Sequence, residues 1–207
     1  MIGRTLKKKL IEASKHYPVV TLTGPRQSGK TTLVRMAFPD YEYVSLEEPD
    51  QRTFALEDPR GFLSQFSDKV ILDEVQHTPD LFSYIQTIVD IKDISGQFVL
   101  TGSQNFLLLQ KVSQSLAGRC AILHLLPLSL SEIRQRHPLS IDSVGQRLPK
   151  KNRYLDEDLA TILLQGFYPR IHDKGLNPGD WLGNYYQTYI ERAVRDILNV
   201  GDLETFS

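Results

Sequence analysis

The chain has 207 residues, of which 24 are basic, 25 are acidic and 41% are hydrophobic. This length allows one large domain, or one domain with a small appendage, and the composition excludes the disordered and fibrous classes of protein. The net charge of −1, the single cysteine Cys120 and the lack of a long apolar run predict a soluble, cytoplasmic protein without membrane contact or a global attraction to nucleic acid.

Strand-like apolar runs alternate with helix-like segments through the first two-thirds of the chain. The predicted strands are Val19–Thr23, Tyr41–Leu46, Val70–Leu72, Phe98–Thr101 and Ala121–Leu125. Helical patterns begin near Gly29, Pro59, Pro79 and Gln104. Continuous runs of Val, Ile and Leu are typical of strands that are covered on both faces, so the alternation predicts an α/β fold with a parallel sheet flanked by helices.

The segment between the first predicted strand and the first predicted helix carries a phosphate-binding motif. Residues 24–31 read GPRQSGKT, which matches G-x-x-x-x-G-K-[ST] in the strand-then-helix context that this motif requires. Backbone N–H groups of such a loop surround phosphates, the lysine reaches the β/γ-phosphates and the hydroxyl binds Mg²⁺. We therefore predict nucleotide binding by Gly24, Pro25, Arg26, Gln27, Ser28, Gly29, Lys30, Thr31 and Thr32, with Lys30 also catalytic and Thr31 also a metal ligand.

Two acidic residues follow the third predicted strand. Asp73 and Glu74 come directly after Val70-Ile-Leu72. In P-loop folds an acid on the strand beside the phosphate-binding loop holds Mg²⁺. A second carboxylate can accept a proton from the attacking water. We predict that Asp73 binds the nucleotide-associated metal and that Glu74 is the hydrolytic base.

The fourth predicted strand ends in the polar run Thr101-Gly-Ser-Gln-Asn105. A polar side chain at this edge can orient the attacking water or contact the γ-phosphate, so Gln104 is a further candidate catalytic residue. In the alternative interpretation, Ser103 caps a helix and Gln104 is solvated. The sequence leaves both open.

The last third of the chain has a different pattern. Residues 137–153 are polar and rich in turn formers, which predicts a linker or exposed loop after a first domain of residues 1–136. Beyond it, Asp158–Gln165 predicts a short helix and Trp181–Leu198 a long amphipathic one. The apolar stripe of that helix needs a partner surface, so we interpret residues 154–207 as the helical start of a second domain that is truncated.

Several segments taken together resemble a known family. GPRQSGKTTL, ILDEVQHTPDLF, VLTGSQNFLLLQ, SLAGR and LPLSLSEI resemble, in this order, the prokaryotic AAA-type ATP-binding proteins that carry a C-terminal domain of unknown function. The resemblance covers most of the chain. It implies ATP as the nucleotide, an AAA-like ATPase domain, a winged-helix-like region after it and a further C-terminal domain. Ala193 departs from the family, which usually has Asp there.

The resemblance also draws attention to Arg119, in Ser115-Leu-Ala-Gly-Arg119. In AAA-type assemblies such an arginine can reach the γ-phosphate of a neighbouring subunit and stabilise the transition-state charge. This implies a catalytic Arg119 and a homo-oligomer. The alternative is a surface arginine in the loop before the fifth predicted strand.

The leading functional hypothesis is an ATPase that uses Mg²⁺ and whose cycle drives or switches a conformational change in an appended C-terminal domain. One alternative is a kinase that passes the γ-phosphoryl group to a small substrate. Another is a non-hydrolysing, ATP-dependent switch or DNA-binding module. Two short basic runs, Lys7–Lys9 and Lys150–Arg153, leave contact with nucleic acid open, although most such runs are solvated.

Overall fold

The structure of the protein is a computed structural model that describes residues 2–103, 114–136 and 159–190. One compact unit comprises residues 3–128, and a second begins at Ser129. The predicted linker at 137–153 and the helix predicted near Gln104 lie outside the described residues. The domain boundaries expected from the sequence therefore stay a prediction.

The first unit contains one five-stranded sheet, formed by β1 (Val19–Gly24), β2 (Glu42–Ser45), β3 (Val70–Asp73), β4 (Phe98–Ser103) and β5 (Cys120–His124). The strand order is β2-β3-β4-β1-β5, and every neighbouring pair is parallel. This confirms the predicted α/β fold. Each strand lies within two residues of its predicted bounds.

Helices cover the two faces of this sheet. They are α1 (Leu6–His16), α2 (Lys30–Ala37), α3 (Pro49–Glu57), α4 (Pro59–Ser64) and α5 (Leu81–Lys92), with a 3₁₀ turn at Val75–His77. The sequence patterns do not predict α1 or α3. In α1, Leu10 is buried and Leu6, Ile11 and Ala13 pack against the same core cluster, which is an apolar stripe at helical spacing that the expected elements leave out. In α3, Ala55 is the buried residue, so that helix has no wide apolar stripe.

The core of the first unit consists of two apolar clusters on opposite faces of the sheet. Consecutive strand residues alternate between them: Ile71 lies in one cluster and Leu72 in the other, as do Val99 and Leu100. Successive side chains of a strand point to opposite faces, so a sheet covered on both sides needs apolar residues at every position. That requirement explains the continuous apolar runs in the sequence.

The second unit is helical where it is described. It contains α6 (Leu130–Ile133), α7 (Leu159–Gln165), α8 (Pro169–Lys174) and α9 (Pro178–Tyr185), which continues as a π-helix over Tyr186–Ile190. The long predicted helix begins at Pro178 rather than Trp181, because the Asn177 side chain accepts a hydrogen bond from the backbone N–H of Asp180 at 3.1 Å and caps it there. Residues 191–198 of that prediction lie outside the described ranges.

Aromatic side chains pack along the α9 face. The rings of Trp181 and Tyr185 stack with centroids 5.1 Å apart, and Tyr168 lies 5.0 Å from each. Part of the predicted apolar stripe therefore packs against aromatic residues of this same unit. Within residues 2–103, 114–136 and 159–190, no helix is both long and apolar enough to cross a membrane.

Because all five strands run in the same direction, their carboxyl ends lie at one edge of the sheet. Gly24 pairs with Ser103 across β1 and β4, and Asp73 pairs with Ser45 across β3 and β2. Polar residues at the ends of separate predicted strands are thereby brought together. Ligands of open α/β sheets bind at this edge.

Candidate nucleotide site

Two glycines shape the loop between β1 and α2. Gly24 has no room for a side chain, since a Cβ there would lie 2.2 Å from the carbonyl oxygen of Leu125. Gly29 has φ 91°, in the left-handed region that favours glycine, and immediately precedes α2. The predicted phosphate cradle therefore starts against the backbone that follows β5 and ends at the positive terminus of a helix.

Lys30 is the buried cation of this loop, with 5% of its surface exposed. Its Nζ donates hydrogen bonds to the carbonyl oxygens of Gly24 at 3.0 Å and Pro25 at 3.1 Å. Burial lowers the pKa of Lys30, and the nearby carboxylates of Glu74 and Asp73 oppose that shift. Both hydrogen-bond acceptors are neutral, so the ammonium charge remains available to a bound polyanion.

The hydroxyl of Ser28 gives a second indication of a ligand. Its oxygen is buried and has no hydrogen-bond partner among the described residues. Buried polar groups in native proteins are nearly always paired, so such an atom points to a missing partner. Phosphate oxygens, which accept hydrogen bonds, would pair this hydroxyl, and the cradle thus fits a nucleotide.

The other predicted loop residues are more open. Arg26, Gln27 and Thr32 are exposed, and Pro25 is half-buried. Gln27 adopts φ 64°, which is uncommon for a residue with a side chain. Their contribution to binding stays a prediction.

Three hydroxyl groups donate to the carboxylate of Asp73. Thr31 Oγ1 and the Tyr43 hydroxyl each lie 2.8 Å from Oδ2, and Thr101 Oγ1 donates to Oδ1. The two residues predicted as metal ligands, Thr31 and Asp73, are thus in direct contact. A hydroxyl and a carboxylate are hard oxygen ligands of the kind that Mg²⁺ takes beside nucleotide phosphates, so the donor set fits that ion.

Sequence reasoning did not find Tyr43 or Thr101. Tyr43 lies on β2 opposite Ile71, and its long side chain reaches forward to the strand end. Burial and the hydrogen bond to Asp73 raise the pKa of Tyr43, while Arg35 lies 4.8 Å from its ring centroid. A polar side chain inside a buried apolar strand is the sequence signal that could have identified Thr101, whose side chain is fully buried.

Glu74 occupies a left-handed backbone conformation, with φ 59°. The chain therefore turns at Glu74, and its side chain points away from that of Asp73. Oε2 of Glu74 accepts hydrogen bonds from Gln76 Nε2 and, at 3.4 Å, from Ser103 Oγ. Non-glycine residues held in this conformation cost free energy and are concentrated at functional sites. The carboxylate of Glu74, the predicted base, therefore lies beside the end of β4, and Gln76 is a neighbour that the sequence patterns do not single out.

The structure does not bring Arg119 into this group. Its carbonyl oxygen accepts a hydrogen bond from the N–H of Val19 at 3.2 Å, which places it at the amino edge of the sheet. Its guanidinium is paired with Asp90, with Nη2 3.0 Å from Oδ2. At ~3.3 Å per residue, the length of β1 separates it from the loop. A role of Arg119 toward a neighbouring subunit stays a prediction.

The other candidate catalytic residue, Gln104, lies outside the described residues.

Residues 16–134 match the family model of the AAA domain. This span exceeds half of the chain. The chain belongs to the AAA domain family. Its first unit is thus an AAA-type P-loop ATPase domain.

The chain is also similar to other proteins in sequence and to a solved structure in fold. Two uncharacterized proteins, one from Mycobacterium tuberculosis and one from Mycobacterium bovis, are each 37% identical to this chain over 133 residues. The matched region covers 63% of this chain and 30% of each relative. The match therefore spans less than a third of the length of these relatives. The Walker-type ATPase PABY2304 of Pyrococcus abyssi superposes with a TM-score of 0.56 at 16% identity, covering 96% of this chain and 76% of its own. At that identity the likeness shows the fold.

Proposed function

We propose that this AAA domain binds ATP with Mg²⁺ and hydrolyses it. The observation that carries the proposal is the contact between Thr31 and Asp73, 2.8 Å apart, beside the buried ammonium of Lys30. A cation, a hydroxyl and a carboxylate converge at the end of the loop between β1 and α2. This combination matches the charge of a metal-bound triphosphate.

Each residue then has a distinct task. Lys30 neutralises phosphate charge, and Thr31 and Asp73 supply oxygen ligands to the metal. Bound Mg²⁺ would stabilise the negative charge that develops on the phosphates. Glu74 accepts a proton from the attacking water, and Ser103 and Gln76 hold its carboxylate in place.

We further propose that the cycle of binding and hydrolysis switches the conformation of the part of the protein that follows the ATPase domain. The carbonyl of Leu125 lies against Gly24 of the cradle, and the second unit begins four residues later at Ser129. A shift of the cradle therefore acts on backbone that leads directly into the next unit. An assembly of several copies, in which Arg119 acts on a neighbour, is part of the same proposal.

Phosphate release in the absence of any acceptor tests the proposal. We expect the protein with Mg·ATP to release inorganic phosphate, and the release to stop when EDTA removes the metal. Phosphate transfer only after a small acceptor is added would contradict hydrolysis and favour a kinase. Tight ATP binding without turnover in either case would favour a non-hydrolysing switch.

A further inference from the structure

Arg4, before the first helix, contacts the phosphate cradle from outside. Its Nη1 donates to the carbonyl oxygen of Ser28 at 2.7 Å. Its Nη2 donates to the carbonyl oxygens of Leu126 at 2.5 Å and Pro127 at 3.4 Å. One guanidinium thus joins three segments that are far apart in the sequence: the N-terminal segment, the cradle and the backbone that follows β5.

The bond to Ser28 determines where a cradle amide points. The Ser28 carbonyl and the Gly29 N–H belong to one planar peptide group and point in opposite directions. A donor that fixes the carbonyl on the outside therefore fixes the N–H toward the inside of the loop. A charged donor also polarises the peptide group, which makes the N–H a stronger donor to an anion.

This peptide plane needs an external anchor. Gly29 has φ 91° and no Cβ, so side-chain sterics oppose rotation of the plane very little. The buried hydroxyl of Ser28 has no partner among the described residues and therefore adds no restraint there. Among the described residues, Arg4 is the donor that holds that carbonyl.

The other end of the Arg4 contact is held by the sheet. The N–H of Leu125 donates to the carbonyl oxygen of Thr23 at 2.7 Å, which extends the pairing of β1 and β5. The Leu125 carbonyl lies so close to Gly24 that a single Cβ would overlap with it. Leu125 is thus held by the sheet, and the guanidinium spans the gap between the backbone that directly follows it and the cradle.

We propose that Arg4 is a positioning residue for nucleotide binding, which orients the Gly29 amide toward the phosphates by holding the Ser28 carbonyl. The inference rests on the proposed function, because it concerns the same ligand. It assigns a role to a residue outside the phosphate-binding motif.

Affinity for Mg·ATP, measured by calorimetry on the 207-residue chain, tests the role. Arg4→Ala removes all three hydrogen bonds, and we expect the dissociation constant to rise about tenfold or more, as loss of a charge-assisted hydrogen bond would give. Arg4→Lys keeps the charge but cannot donate as a fork, so we expect a smaller loss. Methylguanidinium added to Arg4→Ala should restore part of the affinity. Lys8→Ala, an exposed cation of the same segment, should bind as the parent does.

Lys30→Ala, measured in parallel, separates failure of this inference from failure of the proposed function. If Lys30→Ala loses ATP while folded Arg4→Ala binds it as tightly as the parent, the role of Arg4 is overturned and the nucleotide site stands. If Lys30→Ala also binds unchanged, the site itself is misassigned. A loss in Arg4→Ala that matches a lower urea midpoint and resists methylguanidinium would also overturn it. Should Arg4→Ala not fold, Arg4→Lys decides, and unchanged affinity there contradicts the inference.

Discussion

At the scale of single residues, the carboxyl edge of the sheet separates two neighbouring acids. Asp73 turns toward Thr31, and Glu74, in a left-handed conformation, turns toward Ser103. Adjacent residues of a strand point to opposite faces, so both can serve one ligand only if the chain turns between them. The backbone of Glu74 provides that turn.

The position of the Glu74 carboxylate, away from Asp73, predicts an effect on catalysis rather than on binding. Glu74→Gln keeps the size of the side chain but removes the proton acceptor. We expect ATP to bind with nearly unchanged affinity and phosphate release to fall ~10²- to 10⁴-fold, the usual contribution of a general base. Calorimetry and a phosphate-release assay measure the two effects.

Glu57→Gln is the matched control, because Glu57 is an exposed acid at the end of α3. It should leave both binding and turnover as they are. Turnover that survives in Glu74→Gln would remove Glu74 from the role of base.

The hydroxyl of Tyr43 predicts a stability effect. Tyr43→Phe deletes one of the three donors to the Asp73 carboxylate and leaves the ring in place. A hydrogen bond to a charged group contributes about 1.5 to 3 kcal/mol, so we expect the free energy of unfolding to fall by about that amount. Urea denaturation without nucleotide measures it.

Tyr41→Phe is the comparison for this change. No hydrogen bond from the Tyr41 hydroxyl occurs within the part of the chain that the structure describes, and the residue lies two positions away. Equal losses in the two variants would show that the contact with Asp73 contributes nothing to stability.

At the scale of elements, the β-strands and the loop after β1 follow from the sequence, whereas the contacts between them do not. Strands buried on both faces must be apolar at each position, and the loop at residues 24–31 must have glycines where its backbone turns. These local requirements identify Lys30, Thr31 and Asp73. Tyr43, Gln76 and Arg4 act through partners on other segments, and strand order is needed to see those contacts. Helix α3 buries little beyond Ala55 and leaves a weak pattern, whereas α1 does carry an apolar stripe, which the lysines at positions 7–9 interrupt in the sequence.

The close packing of β1 against the segment after β5 predicts the effect of a small substitution. Gly24→Ala places a methyl group 2.2 Å from the Leu125 carbonyl oxygen, so backbone must move. We expect loss of ATP affinity together with lower stability, since overpacking typically costs about 1 to 3 kcal/mol. Nucleotide titration and thermal unfolding measure the two effects.

Gly183→Ala provides the control, because nothing lies within 4 Å of a Cβ at that helical position. It should leave ATP binding intact. Normal affinity in Gly24→Ala would show that the cradle does not depend on contact with the β5 end.

At the scale of the whole molecule, the chain joins an ATPase domain to a helical unit that starts at Ser129. The curated relatives are longer than the matched region, which covers 30% of their length. Residues 125–127 link the cradle, through Arg4 and Gly24, to the start of the helical unit. The proposed switch therefore runs through noncovalent contacts from the cradle to residues 125–127, and then along the backbone to Ser129.

The central claim is that the amides of residues 24–31 surround phosphate while a divalent cation is held from the end of β3. A crystal structure with Mg²⁺ and a non-hydrolysable ATP analogue tests it most directly. We predict that the triphosphate lies in the loop with Lys30 beside it, and that the metal contacts Thr31 and faces Asp73. A loop that remains empty, or a nucleotide bound elsewhere on the molecule, would contradict the account.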